Sequence, residues 1–258
     1  MKGHLTILFL LTLSAAAQAR QQPAPAARLV DEFGAIQISD LMARLDNFAI
    51  ELQNDPEARG HVVAYSAKHK FPGWPLRRAE YALNYLVDSR GLERSRLSVV
   101  NGGLRGDTAF ELWVVGPGAE LPVKTFDVSL LMSGERTAQP FDRFAVAERG
   151  DRLEVEIYEA TPLPDSAALY RHFAEVLRRD PGLRGCVIGY ASRRGSLAAG
   201  RRIAARAKMT MAKAYAVDVT RVVALGGGRR EDKMLELWLV PPGAALPKPS
   251  PAPRGKRR

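Results

Sequence analysis

The chain has 258 residues, 46% of them hydrophobic and 26% charged, and a formal net charge of +10. That length suits one or two globular domains. A single cysteine excludes an intramolecular disulfide framework, and no stretch beyond the N-terminus is apolar enough to span a bilayer.

The first expected element is a secretory signal peptide over residues 1–19. Lys2 and His4 precede the apolar run Leu5–Leu13, and a small-residue stretch from Ser14 to Ala19 follows. The run falls short of the ~20 residues of a spanning helix. Cleavage is expected after Ala19, with export to the periplasm or cell envelope as a soluble protein. Leu29–Phe33 then reads as a short leading strand. Ser39 or Asp40 can cap a helix whose Leu41, Leu45, Phe48 and Leu52 follow one face. Asp55-Pro56 stops that helix, because proline lacks the amide donor. A short apolar strand, Val62–Tyr65, comes next. It leads into a second helix with Ala79, Ala82 and Leu86 inward. Arg96–Val100 and Phe110–Val115 close the unit as strands on either side of a glycine-rich segment.

The same order returns 125 residues later. Phe48 falls on Phe173, Asp55-Pro56 on Asp180-Pro181, Tyr65 on Tyr190, and Arg96 on Arg221. Glu111-Leu112-Trp113 falls on Glu236-Leu237-Trp238. Without a gap, about a third of residues 44–122 match 169–247, which marks a duplication. The second copy's helices carry Leu169, Phe173, Val176 and Leu177, then Ala204, Ala207 and Met211. Each unit is thus α-β-α-β-β with a leading strand, and a helix between two strands implies that those strands run parallel. The expected limits are 29–124 for repeat one, 125–140 for a linker (Ser129–Pro140 its flexible part) and 141–247 for repeat two. Residues 248–258 form a proline-rich basic tail expected to be disordered. Between linker and second helix pair, Leu153–Tyr158 alternates with period two and reads as an added edge strand.

Charge is shared unequally. Residues 44–122 hold ten basic and ten acidic side chains, whereas 169–247 hold fifteen and six, and the tail adds five basic groups. A positive end outside the cytoplasm attracts anionic cell-wall polymers or membrane headgroups. The alternative is a solvated arginine-rich surface. Nucleic acid is not expected as a physiological partner of an exported chain.

The search for chemistry returns no catalytic residues, no metal site and no cofactor. His61, His69 and His172 have no paired spacing, and no nucleophile elbow or phosphate loop occurs. Cys186 reads as a small buried apolar residue or, less simply, a reactive thiol. The segments Asn101–Arg105 and Gly226–Arg230 put Arg105, Arg229 and Arg230 beside backbone amides, which suits either a small anion or a hairpin turn. Glu111 and Glu236 read as a shared ligand contact or as the solvent face of an alternating strand.

The residue order resembles the OmpA-like, peptidoglycan-associated domain of bacterial envelope proteins. The likeness runs through Leu45-Asp46, Ala49, Leu52 and Pro56, then Val62 and Tyr65. It continues through Arg77-Arg78-Ala79-Glu80, Tyr85-Leu86 and Gly91-Leu92 to Ser95-Arg96-Leu97-Ser98. It covers most of each copy, more clearly the first. The resemblance implies an α/β fold, an α+β sandwich with helices on one face of a small mixed sheet in each of two tandem repeats. It also implies wall binding through an Asp after the strand tyrosine and an Arg in the next helix. The Asp position holds Ala67 and Ser192; the Arg position holds Arg78 in repeat one and Ile203, beside Arg202, in repeat two. The ligand-binding candidates are therefore Arg78, Tyr65, Arg105, Arg202, Arg229 and Arg230. The expected function is non-enzymatic binding of peptidoglycan or another anionic envelope surface. The alternative is an adaptor for an outer-membrane or TonB-linked protein complex. Oligomeric state is left open.

Overall fold

The computed structural model describes residues 26–67, 71–132, 134–149, 152–155 and 168–250. The expected signal peptide, His69 and the basic end of the tail lie outside them. Repeat one runs β1 (Ala27–Phe33), α1 (Ile38–Asn54), β2 (Arg59–Ala67), α2 (Gly73–Asp88), β3 (Leu97–Arg105) and β4 (Ala109–Val115). Its sheet has the order β1-β4-β2-β3, with β2 and β3 parallel and the other pairs antiparallel. Repeat two runs β5 (Gln139–Arg149), β6 (Arg152–Val155), α3 (Arg171–Arg179), β7 (Arg184–Ala191), α4 (Leu197–Tyr215), β8 (Val222–Arg229) and β9 (Met234–Val240). Its order is β6-β5-β9-β7-β8, with β7 and β8 parallel. Among the described residues the fold is mixed α/β, with two small mixed sheets and four α-helices.

Both Asp-Pro pairs end their helices as expected: α1 stops at Asn54 and α3 at Arg179. The inward positions Leu41, Leu45, Phe48, Leu52, Ala204, Ala207 and Met211 are all buried. The helix-facing residues of both sheets and the apolar faces of all four helices belong to one continuous core. Rather than each copy closing a core of its own, the two helix layers meet, with α2 packing on α3 and β5.

Three local expectations change. Helix α1 begins at Ile38 with Gln37 as its N-cap, and Leu41 N–H bonds the Gln37 carbonyl at 3.1 Å. Ser39 and Asp40 therefore lie inside the first turn, where the Asp40 charge suits the helix dipole. The glycine-rich segments are not hairpin turns. They lie within β3 and β8, where Gly103 and Gly228 adopt φ of +92° at a bulge. The part of the expected linker at Val128–Met132 forms a 3-10 turn with Val128 and Met132 buried, and β5 already starts at Gln139. Of the alternating stretch Leu153–Tyr158, the described part ends at Val155, and β6 does lie at the sheet edge.

Candidate functional site

Strand alternation sends Ala64 and Leu112 into the core and Tyr65, Glu111 and Trp113 to the opposite sheet face. There the Tyr65 hydroxyl donates to Glu111 at 3.0 Å and Trp113 Nε1 donates to it at 2.8 Å. Arg105 donates to the other Glu111 oxygen and, at 2.7 Å, to Glu32. Its guanidinium lies 3.4 Å from the Tyr65 ring centroid. Repeat two rebuilds the cluster: Tyr190 donates to Glu236 at 3.0 Å, Trp238 at 3.2 Å, and Arg230 pairs with Glu236 at 2.8 Å. Arg230 stacks 3.8 Å above Tyr190. A Cβ on Gly102 or Gly227 would sit 2.2 Å or 2.4 Å from the tyrosine ring, which is why glycine stands there in both copies.

Glu111 and Glu236 are thus buried acceptors, 5% and 6% exposed, and not the solvent face of their strands. Burial acts to raise the Glu111 pKa, but hydrogen bonds from Trp113, Arg105 and Tyr65 together hold it below the usual carboxylate value. Burial and the adjacent Glu111 carboxylate push the Tyr65 phenol upward.

The copies differ in what else the arginine holds. Opposite Glu111 on β1 stands Glu32, while opposite Glu236 on β5 stands Arg143. A cation at that place cannot take the second arm of Arg230. Arg230 instead donates to the Ser250 carbonyl at 3.0 and 3.2 Å, and Ser250 N–H donates to the Tyr190 hydroxyl at 3.1 Å. Ser250 thus sits docked where the proline pattern led us to expect disorder from residue 248. Trp238 and Leu246 cover Cys186, Ile188 and Tyr190 on this face. Burial pushes the Cys186 thiol up to about 12, the state of an inert core residue.

Arg78, the position that the resemblance assigns to wall binding, donates to the Ile36 carbonyl at 2.5 Å and lies 5.8 Å from the Trp74 ring centroid. It ties the entry of α1 to α2. Tyr65 and Arg105 likewise sit in a network internal to repeat one. Arg202 and Arg229 lie elsewhere, at the end of repeat two where β7 and β8 finish and α4 begins. Arg193 and Arg194 on the intervening loop, and Arg201 and Arg202 on α4, are exposed, as is Arg229. Arg229 donates to the Gly195 carbonyl at 3.0 Å, and Arg193 pairs with Glu231 at 2.7 Å. No acidic residue stands in the first turn of α4, so the positive helix end adds to the arginine field.

Sequence reasoning passed over a third group, at the junction of the repeats. Glu80 on α2, Arg94 after it, and Arg171, His172, Glu175 and Arg179 on α3 line a cleft of about 320 Å³. Comparing the copies hides these residues, because Glu80 falls on Ala205 and His172 on Asn47. The one available signal is Glu80 itself, a charge within the apolar stripe Leu76, Ala79, Leu83 and Leu86.

Among the described residues no group of His, Cys, Asp and Glu is arranged to hold a metal ion, and no helix is long and apolar enough to cross a membrane. No protein-family model matches the chain, and no curated protein matches it in sequence.

Proposed function

We propose that the protein is a non-enzymatic, exported envelope protein of two OmpA-like repeats whose second repeat engages an anionic cell-wall polymer or membrane surface. The observation that carries this reading is the gathering of Arg193, Arg194, Arg201, Arg202 and Arg229 at the α4 end of repeat two. Five exposed guanidinium groups beside a helix N-terminus make a concentrated positive field, and an anionic polymer meets it by attraction that salt screens. The order β-α-β-α-β-β supports the OmpA-like reading. Ala67 and Ser192 stand where that family has its carboxylate. Arg78 is held by the fold. Recognition therefore rests on charge and not on an Asp/Arg pair.

Co-sedimentation with purified peptidoglycan sacculi tests it. Binding is expected at low salt, lost at high salt, and weakened by ~1 kcal/mol for each of Arg194→Gln, Arg201→Gln and Arg202→Gln. Removal of residues 251–258 weakens it further. Equal binding by the triple variant and the parent would remove the arginine end from the function. A second reading, an adaptor for an envelope protein complex, draws on β6 as the terminal strand of its sheet, placed for strand addition by a partner. Partner binding indifferent to salt would favour it.

A further inference from the structure

We propose that the cleft between the repeats is a binding site for a small hydroxycarboxylate, held jointly by both copies. The floor is Glu80, whose side chain is 3% exposed. Its Oε1 faces His172 Nε2 at 3.1 Å and Arg171 Nε at 3.3 Å, yet neither of those buried nitrogens makes an aligned hydrogen bond. Its Oε2 is buried and accepts no hydrogen bond, with Arg94 Nη2 3.9 Å away. The neighbouring cations offset the charge of the carboxylate, but a buried oxygen without an aligned hydrogen bond still calls for a donor.

The rest of the lining defines what brings the donor. Arg94, Arg171 and Arg179 outnumber the carboxylates Glu80 and Glu175, so the cleft is net positive and draws an anion. His172 adds to this. Burial opposes its charge, but the Glu175 hydrogen bond and the facing Glu80 carboxylate keep its pKa above the ordinary value. Guanidinium groups present planar forks that match a carboxylate. The same excess of positive charge disfavours an ammonium, which leaves a hydroxyl as the donor that suits Glu80 Oε2. The volume of about 320 Å³ is at the small end of ligand sites, which span ~300–1,000 Å³. Glu80 and Arg94 come from repeat one and the other charged groups from repeat two, so a bound ligand bridges the copies at the packing of α2 on α3.

Two tricarboxylates that differ in one hydroxyl provide the test: citrate, which has it, and tricarballylate, which lacks it. Titration calorimetry of the chain from Arg20 onward is expected to show one saturable citrate site, with tricarballylate at least about tenfold weaker, the loss of one hydrogen bond to a charged group. Arg179→Ala, a change at an exposed side chain, is expected to weaken citrate by about tenfold or more, and Glu80→Gln, which also removes a charge that repels the anion, is expected to narrow the citrate-to-tricarballylate ratio. Thermal unfolding without ligand shows whether each variant is folded. Equal affinity for the two anions, no citrate binding at millimolar concentration, or citrate binding untouched by Arg179→Ala would each overturn the assignment.

Discussion

Glu111 accepts from a phenol, an indole and a guanidinium at once, and Glu236 accepts from a phenol and an indole and forms an ion pair with Arg230. An amide in its place keeps an acceptor but turns an NH₂ toward those donors. Glu111→Gln is expected to cost about 2–3 kcal/mol, read from the urea midpoint. The carboxyl's folded pKa lies below its unfolded value. Its contribution is therefore complete above about pH 4.3 and disappears as pH falls through the lower, folded pKa. The parent should lose stability more steeply than Glu111→Gln over that acidic window. These roles were half legible: the pairing of Glu, Trp, Tyr and Arg across copies was visible, but their burial was not. A strand's alternation names the face a residue shares, whereas whether that face meets water depends on what the chain lays over it. Trp238 and Leu246 cover it in repeat two, and Ser250 is bonded at its rim.

At the scale of elements, the two crossover helices sit differently on their sheets. Helix α4 approaches β7 so closely that a Cβ on Gly200 would lie 2.4 Å from the Gly189 carbonyl oxygen, and one on Gly189 would lie 2.1 Å from that of Gly200. The equivalent positions in repeat one carry Pro75 and Ala64, so α2 stands further off. In an ordinary helix interior, glycine to alanine stabilises by roughly 1 kcal/mol. Here Gly200→Ala is expected to destabilise by about 1–3 kcal/mol, because backbone must move to admit the methyl. Chemical denaturation gives the sign directly. Helix faces and helix ends were legible because the three-and-four spacing and the Asp-Pro stops are local signals. The glycines of β3 and β8 left a turn open as one reading, since a glycine forced by a ring packed above it looks the same in sequence as one forced by φ.

Across the whole molecule, the repeats are joined through Asp142, which is 1% exposed. It accepts from Arg77 of repeat one at 2.8 and 3.3 Å, and that guanidinium also lies 4.8 Å from the Phe144 ring centroid. The counterpart Asp31 pairs instead with Arg44 of its own repeat at 2.7 Å. Phe141 packs against Phe173 and on Gly73 at the start of α2, so β5 is held from both sides. Asp142→Ala strands a largely buried arginine and is expected to cost about 3–5 kcal/mol. Scanning calorimetry should show one transition for the parent, whose core is continuous, and a lower, broader one for the variant as the copies uncouple.

The duplication, the order of helices and strands, the parallel pair within each copy and the uneven charge are properties of the sequence by itself. They rest on periodicity, on helix stops and on composition, each of which acts over a few residues or is simply counted. Only the tertiary structure decided that the helix layers share one core, that Asp142 reaches across to Arg77, and that Glu80 meets Arg171 and His172 in a cleft. Those contacts join residues far apart in the chain and differ between the copies, so neither local spacing nor comparison of the repeats could announce them. Their cause is the packing of two apolar helix faces against one another, which brings unlike residues of two similar domains together.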